Sequence, residues 1–81
     1  MIPVILYSRP GCHLCDEMKA LVKRVALSTP LQLEEVDIST SAELEALYGL
    51  EIPVLFVAGK KAAKYRIGEE ELRRVLAGRA G

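Results

Sequence analysis

Three observations predict an α/β fold with a four-stranded mixed sheet, three helices and the element order β-α-β-α-β-β-α. Apolar, β-branched runs alternate with stretches whose apolar residues recur every three or four positions. Each change of period falls at a segment rich in Pro, Gly or Ser. The last two extended runs are separated by only a short turn.

Residues 2–7 are apolar and flanked by Ser8-Arg9-Pro10-Gly11, which predicts a first strand buried on both faces. Leu14, Met18, Leu21, Val22 and Val25 then form one stripe of an α-helix. Asp16 and Glu17 in its first turns and Lys23 and Arg24 near its end suit the helix dipole, and Ser28-Thr29-Pro30 stops it. Leu31, Leu33 and Val36 mark a second strand ending at Asp37. Ser39-Thr40-Ser41 followed by Glu43 has the form of a capping box, and Leu44, Leu47 and Tyr48 carry a short helix to a stop at Gly49. Residues 53–57 predict a third strand, Ala58-Gly59-Lys60-Lys61 a turn, and Ala62–Ile67 a fourth strand. Gly68 opens a last helix with Leu72, Val75 and Leu76 on one side and Arg73 and Arg74 on the other. A leading strand–helix–strand implies a parallel pair with a right-handed crossover, and the two late strands suit a hairpin. Helices on both faces of such a sheet bury every apolar stripe.

At 81 residues the chain is expected to be a single domain over 1–81. Such a chain buries only about 60–65% of the surface its unfolded form exposes. With two cysteines and one histidine, at most one disulfide is available and a four-ligand zinc site would need carboxylates or a second chain. The 51% hydrophobic content must therefore drive folding. Eleven basic and eleven acidic residues cancel, with no long run of either sign, which argues against nucleic-acid binding. The apolar opening is too short for a membrane span or a signal sequence, so a cytoplasmic, membrane-free monomer is expected. In a reducing compartment, two cysteines point to a reversible redox pair or a metal rather than a permanent staple.

Cys12-His13-Leu14-Cys15 sits where the first strand gives way to the first helix. Free backbone N–H groups and the positive helix end stabilise an anion there, and the thiolate is the reactive form of cysteine. A thiol of ordinary pKa near ~8.5 is only about 3% ionised at pH 7, whereas one lowered to about 6 is about 90% ionised. Cys12, at or just before the helix start, is the predicted nucleophile. Cys15, one turn further in and more buried, is placed to attack a mixed disulfide on Cys12. Arg9 and a protonated His13 favour the thiolate, Asp16 and Glu17 oppose it, and the helix end with Arg9 is expected to win.

Other uses of the pair have weaker grounds. A structural disulfide closing so small a loop yields roughly 2 kcal/mol in the chain-entropy model. A metal site has no second cysteine pair to complete it, although a metal or iron–sulfur cluster shared between chains through Cys12 at a subunit interface stays open. Haem attachment needs His after the second cysteine, and position 16 is Asp. A redox dithiol beside a β-α-β pattern is the reading the residues favour.

The segment Tyr7-Ser8-Arg9-Pro10-Gly11-Cys12-His13-Leu14-Cys15 resembles the active-site segment of glutaredoxins and of related small glutaredoxin-like proteins. Ile52-Pro53-Val54-Leu55-Phe56-Val57 looks like the second hallmark of the thioredoxin superfamily, a cis-proline opening the third strand. The element order, without thioredoxin's extra N-terminal strand and helix, is similar to the glutaredoxin form along nearly the whole chain. This resemblance implies a thioredoxin-like fold and a thiol–disulfide oxidoreductase with Cys12 as nucleophile and Cys15 as resolving thiol. It implies that the backbone of Ile52, with Pro53, pairs with a bound thiol peptide, that Arg9 contacts a glutathione carboxylate, and that Glu69 holds the glutathione amine.

The chain also departs from the glutaredoxin pattern. Ile52 replaces the usual Thr before the cis-proline, Ile67-Gly68-Glu69-Glu70 replaces a Gly-Gly-x-Asp-like segment, and His13-Leu14 replaces Pro-Tyr. These departures weaken glutathione specificity rather than redox chemistry. The expected substrate is a disulfide-containing protein or a small-molecule disulfide, with glutathione or a thioredoxin-reductase-type reductant as electron source. No tightly bound cofactor or metal is expected, and glutathione is a candidate co-substrate.

Overall fold

A computed structural model describes residues 1–80. The elements run β1 (Ile2–Ser8), α1 (His13–Ala26), β2 (Leu31–Asp37), a short 3-10 turn (Ile38–Thr40), α2 (Ala42–Tyr48), β3 (Val54–Val57), β4 (Lys60–Lys64) and α3 (Glu69–Ala80). The predicted order and the thioredoxin-like form are thus present. The sheet order is β2-β1-β3-β4; β1 and β2 are parallel, and β3 is antiparallel to both β1 and β4.

One face of the sheet carries the main core. Ile2, Val4 and Leu6 of β1, Leu31 of β2, and Leu55 and Val57 of β3 pack with Met18, Val22 and Val25 of α1 and Leu72 and Leu76 of α3. The helical stripe read from the sequence supplies that packing, though Leu14 and Leu21 at its margin are only half-buried.

The opposite face is thinner. Pro3 is exposed and Ile5 and Tyr7 are half-buried, so β1 is not buried on both faces as its composition predicts. The cause is that α2, with seven residues, is too short to cover the strand. Cover comes mainly from three aromatic rings: Tyr7 stacks on Tyr48 at 4.6 Å between centroids, and both meet Phe56 edge-on, at 5.6 and 6.0 Å.

Two further corrections have local causes. Of Ser39-Thr40-Ser41, the last is the N-cap of α2, and it accepts the N–H of Leu44. Leu therefore occupies the position where a capping box needs Glu, and Glu43 makes no reciprocal bond. The fourth strand starts at Lys60 rather than Ala62, because Ala58 and Gly59 alone turn the hairpin. Both have positive φ (51° and 83°), the requirement of a type I′ turn. That strand ends at Lys64: Tyr65 enters the left-handed region at φ 68°, and its N–H makes the last bond between the two strands, to the Pro53 carbonyl.

Candidate functional site

The parallel strands β1 and β2 end together, with Ser8 opposite Asp37. On the other side Tyr7 pairs with Val54, so the start of β3 reaches the same end of the sheet. The connection from β1 to α1 and the segment entering β3 are therefore neighbours at one edge of the fold, where ligand sites of open α/β sheets lie.

The β1–α1 connection is a tight turn. Cys12 N–H donates to the Arg9 carbonyl at 3.3 Å, with Pro10 and Gly11 between them. Gly11 has φ 81°, so Pro-Gly gives a type II turn at a position where other residues are strained. The turn delivers Cys12 in extended conformation as the N-cap of α1. Its sulfur accepts the N–H of Cys15 at 3.2 Å, the bond an N-cap side chain makes to a free helix-end donor. Cys12 and Cys15 are joined as a disulfide, Cα atoms 5.2 Å apart. Cys12 is half-buried, whereas Cys15 is only 2% exposed. Cys12 is therefore the more accessible residue of the pair.

The peptide bond between Ile52 and Pro53 is cis. Pro53 is buried and its carbonyl accepts the N–H of Tyr65 at 2.8 Å. Sheet register thus brings Cys12, Cys15, Ile52 and Pro53 to one end of the molecule.

Arg9 and Glu69 are engaged elsewhere. The Arg9 guanidinium donates from Nε and Nη2 to Glu45 Oε1 at 3.0 and 2.6 Å, and reaches the Gly49 carbonyl at 3.4 Å. It ties the active-site turn to α2. Gly49 fits the tight end of α2: a Cβ there lies 2.5 Å from the Glu45 carbonyl oxygen, whereas its 3.4 Å to Arg9 Nη2 is ordinary contact. Its φ of −54° is ordinary helix, so close approach rather than a left-handed turn requires glycine. Glu69 accepts from Arg73 Nη2 at 3.1 Å and lies 3.8 Å from Arg24 Nη1. Glu69 also lines a groove bordered by Leu14, the neighbour of Cys15.

The other charges nearby form a polar cluster behind the turn. Ser8, buried at the end of β1, donates to Glu35 at 3.0 Å, and Glu35 also receives Lys19 at 2.8 Å. The Lys19 hydrogen bond holds the Glu35 carboxyl below the usual range, with Ser8 adding to the effect. Asp37 is also held low, by the Ser39 hydroxyl and backbone N–H. Among the described residues no group of three or more His, Cys, Asp or Glu converges to hold a metal ion.

Sequence reasoning did not find Tyr65, whose phenol donates to the Leu50 carbonyl at 2.8 Å. Neither its spacing nor its neighbours signal that contact. A groove of about 500 Å³ runs beside it, lined by Leu14, Met18, Leu21 and Ile67 with charged residues at its rim.

The glutaredoxin-like domain family (DUF836) matches residues 3–77, nearly the whole chain. The chain belongs to this glutaredoxin-like family. Its fold is similar to that of protein Ne2328 from Nitrosomonas europaea, with 29% identity, a TM-score of 0.79, and coverage of 91% of this chain and 89% of that one. Target protein XcR50 from X. campestris is 32% identical, with a TM-score of 0.75 and coverage of 93% and 96%. A mutant thioredoxin from Halobacterium salinarum is 20% identical with a TM-score of 0.65, covering 95% of this chain and 73% of that one, a likeness of fold alone. No curated protein matches the chain. This glutaredoxin-like protein therefore combines a thioredoxin-like fold with a cysteine pair at the helix end. No helix among the described residues is long and apolar enough to cross a membrane.

Proposed function

We propose that this glutaredoxin-like protein is a thiol–disulfide oxidoreductase, with Cys12 as the attacking thiol and Cys15 as the resolving one. One observation carries the reading: the half-buried N-cap residue Cys12 is joined by a disulfide to Cys15, a nearly inaccessible residue one turn further in. The asymmetric exposure supports this division of roles. The helix-end N–H groups lower the cost of the anion at Cys12, so the attacking sulfur is also the one with the greater thiolate share.

Reduction of a substrate RS–SR′ runs in two exchanges. The Cys12 thiolate bonds to the R sulfur, the RS–SR′ bond breaks, and R′S⁻ leaves and takes a proton. Cys15 then gives up its proton and attacks the Cys12 sulfur, forming the Cys12–Cys15 disulfide and releasing RSH. Two electrons and two protons pass from the dithiol to the substrate. Glutathione, or a dithiol reductase of the thioredoxin-reductase class, restores the dithiol by the same exchanges in reverse. The substrate is a protein or small-molecule disulfide, and the Ile52 backbone beside Pro53 pairs with its chain. Arg9 would hold a glutathione carboxylate through Nη1, or by exchanging Glu45 for it, since Glu45 and Gly49 engage only Nε and Nη2.

Mixing fully reduced protein with one equivalent of a peptide disulfide tests this reading. Loss of two protein thiols and appearance of two peptide thiols is the expected stoichiometry; unchanged protein thiols contradict it.

A further inference from the structure

Tyr65 follows β4 directly, with φ 68°. A bulky L-residue occupies that left-handed region only against a steric cost, so an outlier there points to a local role. Two hydrogen bonds hold it in place. Its N–H donates to the Pro53 carbonyl and its phenol to the Leu50 carbonyl, both at 2.8 Å. One residue thereby grips both ends of the segment 50–53, which enters β3 at the sheet end that also carries the β1–α1 turn. Within that segment the Leu50 side chain is 92% exposed and Ile52 is half-buried. The cation nearest in sequence to the dithiol, Arg9, is already taken by Glu45.

We propose that Tyr65 is a positioning residue that fixes Leu50–Pro53 as a recognition edge for an extended peptide disulfide, with exposed Leu50 set to meet an apolar residue of that peptide. The proposal rests on the dithiol reading of Cys12 and Cys15. An extended peptide gains affinity from main-chain hydrogen bonds to a segment already held in shape. Ordering a loose segment at the moment of binding costs part of that gain. A small disulfide such as hydroxyethyl disulfide has no peptide backbone to pair, so it gains nothing from Tyr65.

Tyr65→Phe keeps the ring and the backbone N–H and removes only the phenol bond. Losing one such bond raises KM for a peptide disulfide about threefold to tenfold. The expected kcat, the midpoint potential of the dithiol and turnover of hydroxyethyl disulfide are unchanged. Leu50→Ala, at an exposed position where folding is not at stake, raises the same KM when the peptide carries an apolar residue beside its cysteine. Equal losses with both substrates, or a fall in Tm with both KM values unchanged, overturn the assignment of Tyr65. A wild-type protein that reduces neither substrate overturns the dithiol reading beneath it instead.

Discussion

The Cys12 sulfur accepts the backbone N–H of Cys15 at 3.2 Å while sharing a disulfide with that residue, so the first turn of α1 both caps itself and carries the redox bond. Under the proposed dithiol chemistry, that N–H is the helix-end donor available to the Cys12 sulfur once the disulfide opens, a further reason to propose Cys12 as the attacking thiol.

Cys12→Ser is expected to abolish disulfide reduction. Cys15→Ser removes the resolving sulfur and accumulates a protein–substrate mixed disulfide. Intact mass after exposure to a peptide disulfide reads both: an adduct of one peptide on the Cys15 variant and none on the Cys12 variant. Adducts on the Cys12 variant would reverse the assigned roles.

The Arg9–Glu45 pair is solvent-accessible and is worth about 0.2–1 kcal/mol. Glu45→Gln releases the guanidinium at that modest cost. If glutathione uses Arg9, KM for glutathione disulfide falls in this variant, whereas Arg9→Ala raises it. KM values that do not move in either variant would remove Arg9 from the binding site and leave it a tie between the turn and α2.

Acid stability should depend on Glu35. Its folded pKa is held below the ordinary 4.5, first by the Lys19 hydrogen bond. A depressed carboxyl contributes stability that is present above that value and lost as pH falls through the lower folded one. Lys19 is raised above its ordinary 10.5, chiefly by the hydrogen bond to Glu35, so its contribution is present below that pH and lost in strong alkali. Glu35→Gln is expected to flatten the acid limb of a Tm–pH curve below about pH 4.5, with little change near pH 7 in the shape of the curve. An acid limb as steep as the wild type's would contradict this.

Ala58 occupies φ 51° in the β3–β4 turn, where an L-residue is strained by about 1–2 kcal/mol. Ala58→Gly relieves that strain and gives back about 0.4–1 kcal/mol through greater unfolded-chain entropy. A net gain between about 0 and about 1.6 kcal/mol is expected in urea unfolding with an unchanged m-value. Leu72→Ala, at a fully buried site on α3, should instead cost about 2–5 kcal/mol.

The elements and the dithiol were legible because their signals are local. Leu14 to Val25 repeat at helical spacing, and Cys12 falls where that spacing begins. Strand limits were less legible where one residue's backbone decides them. Lys60 and Lys61 look like turn residues, yet a type I′ turn at Ala58-Gly59 lets Lys60 pair with Val57 at once. Long-range polar contacts left no trace at all. Arg9 and Glu45 are 36 positions apart and Tyr65 and Leu50 are 15 apart, and no pattern links either pair. Glu69 shows the same limit, since an acid in the first turn of α3 suits the helix dipole whatever it touches.

The most direct test of the dithiol is its equilibration in graded glutathione redox buffers, followed by acid quench, alkylation and intact mass. Reversible, coupled loss of two alkylatable thiols, with a midpoint between about −180 and −270 mV, is the predicted result. Two thiols that stay alkylatable across the whole range would contradict the account.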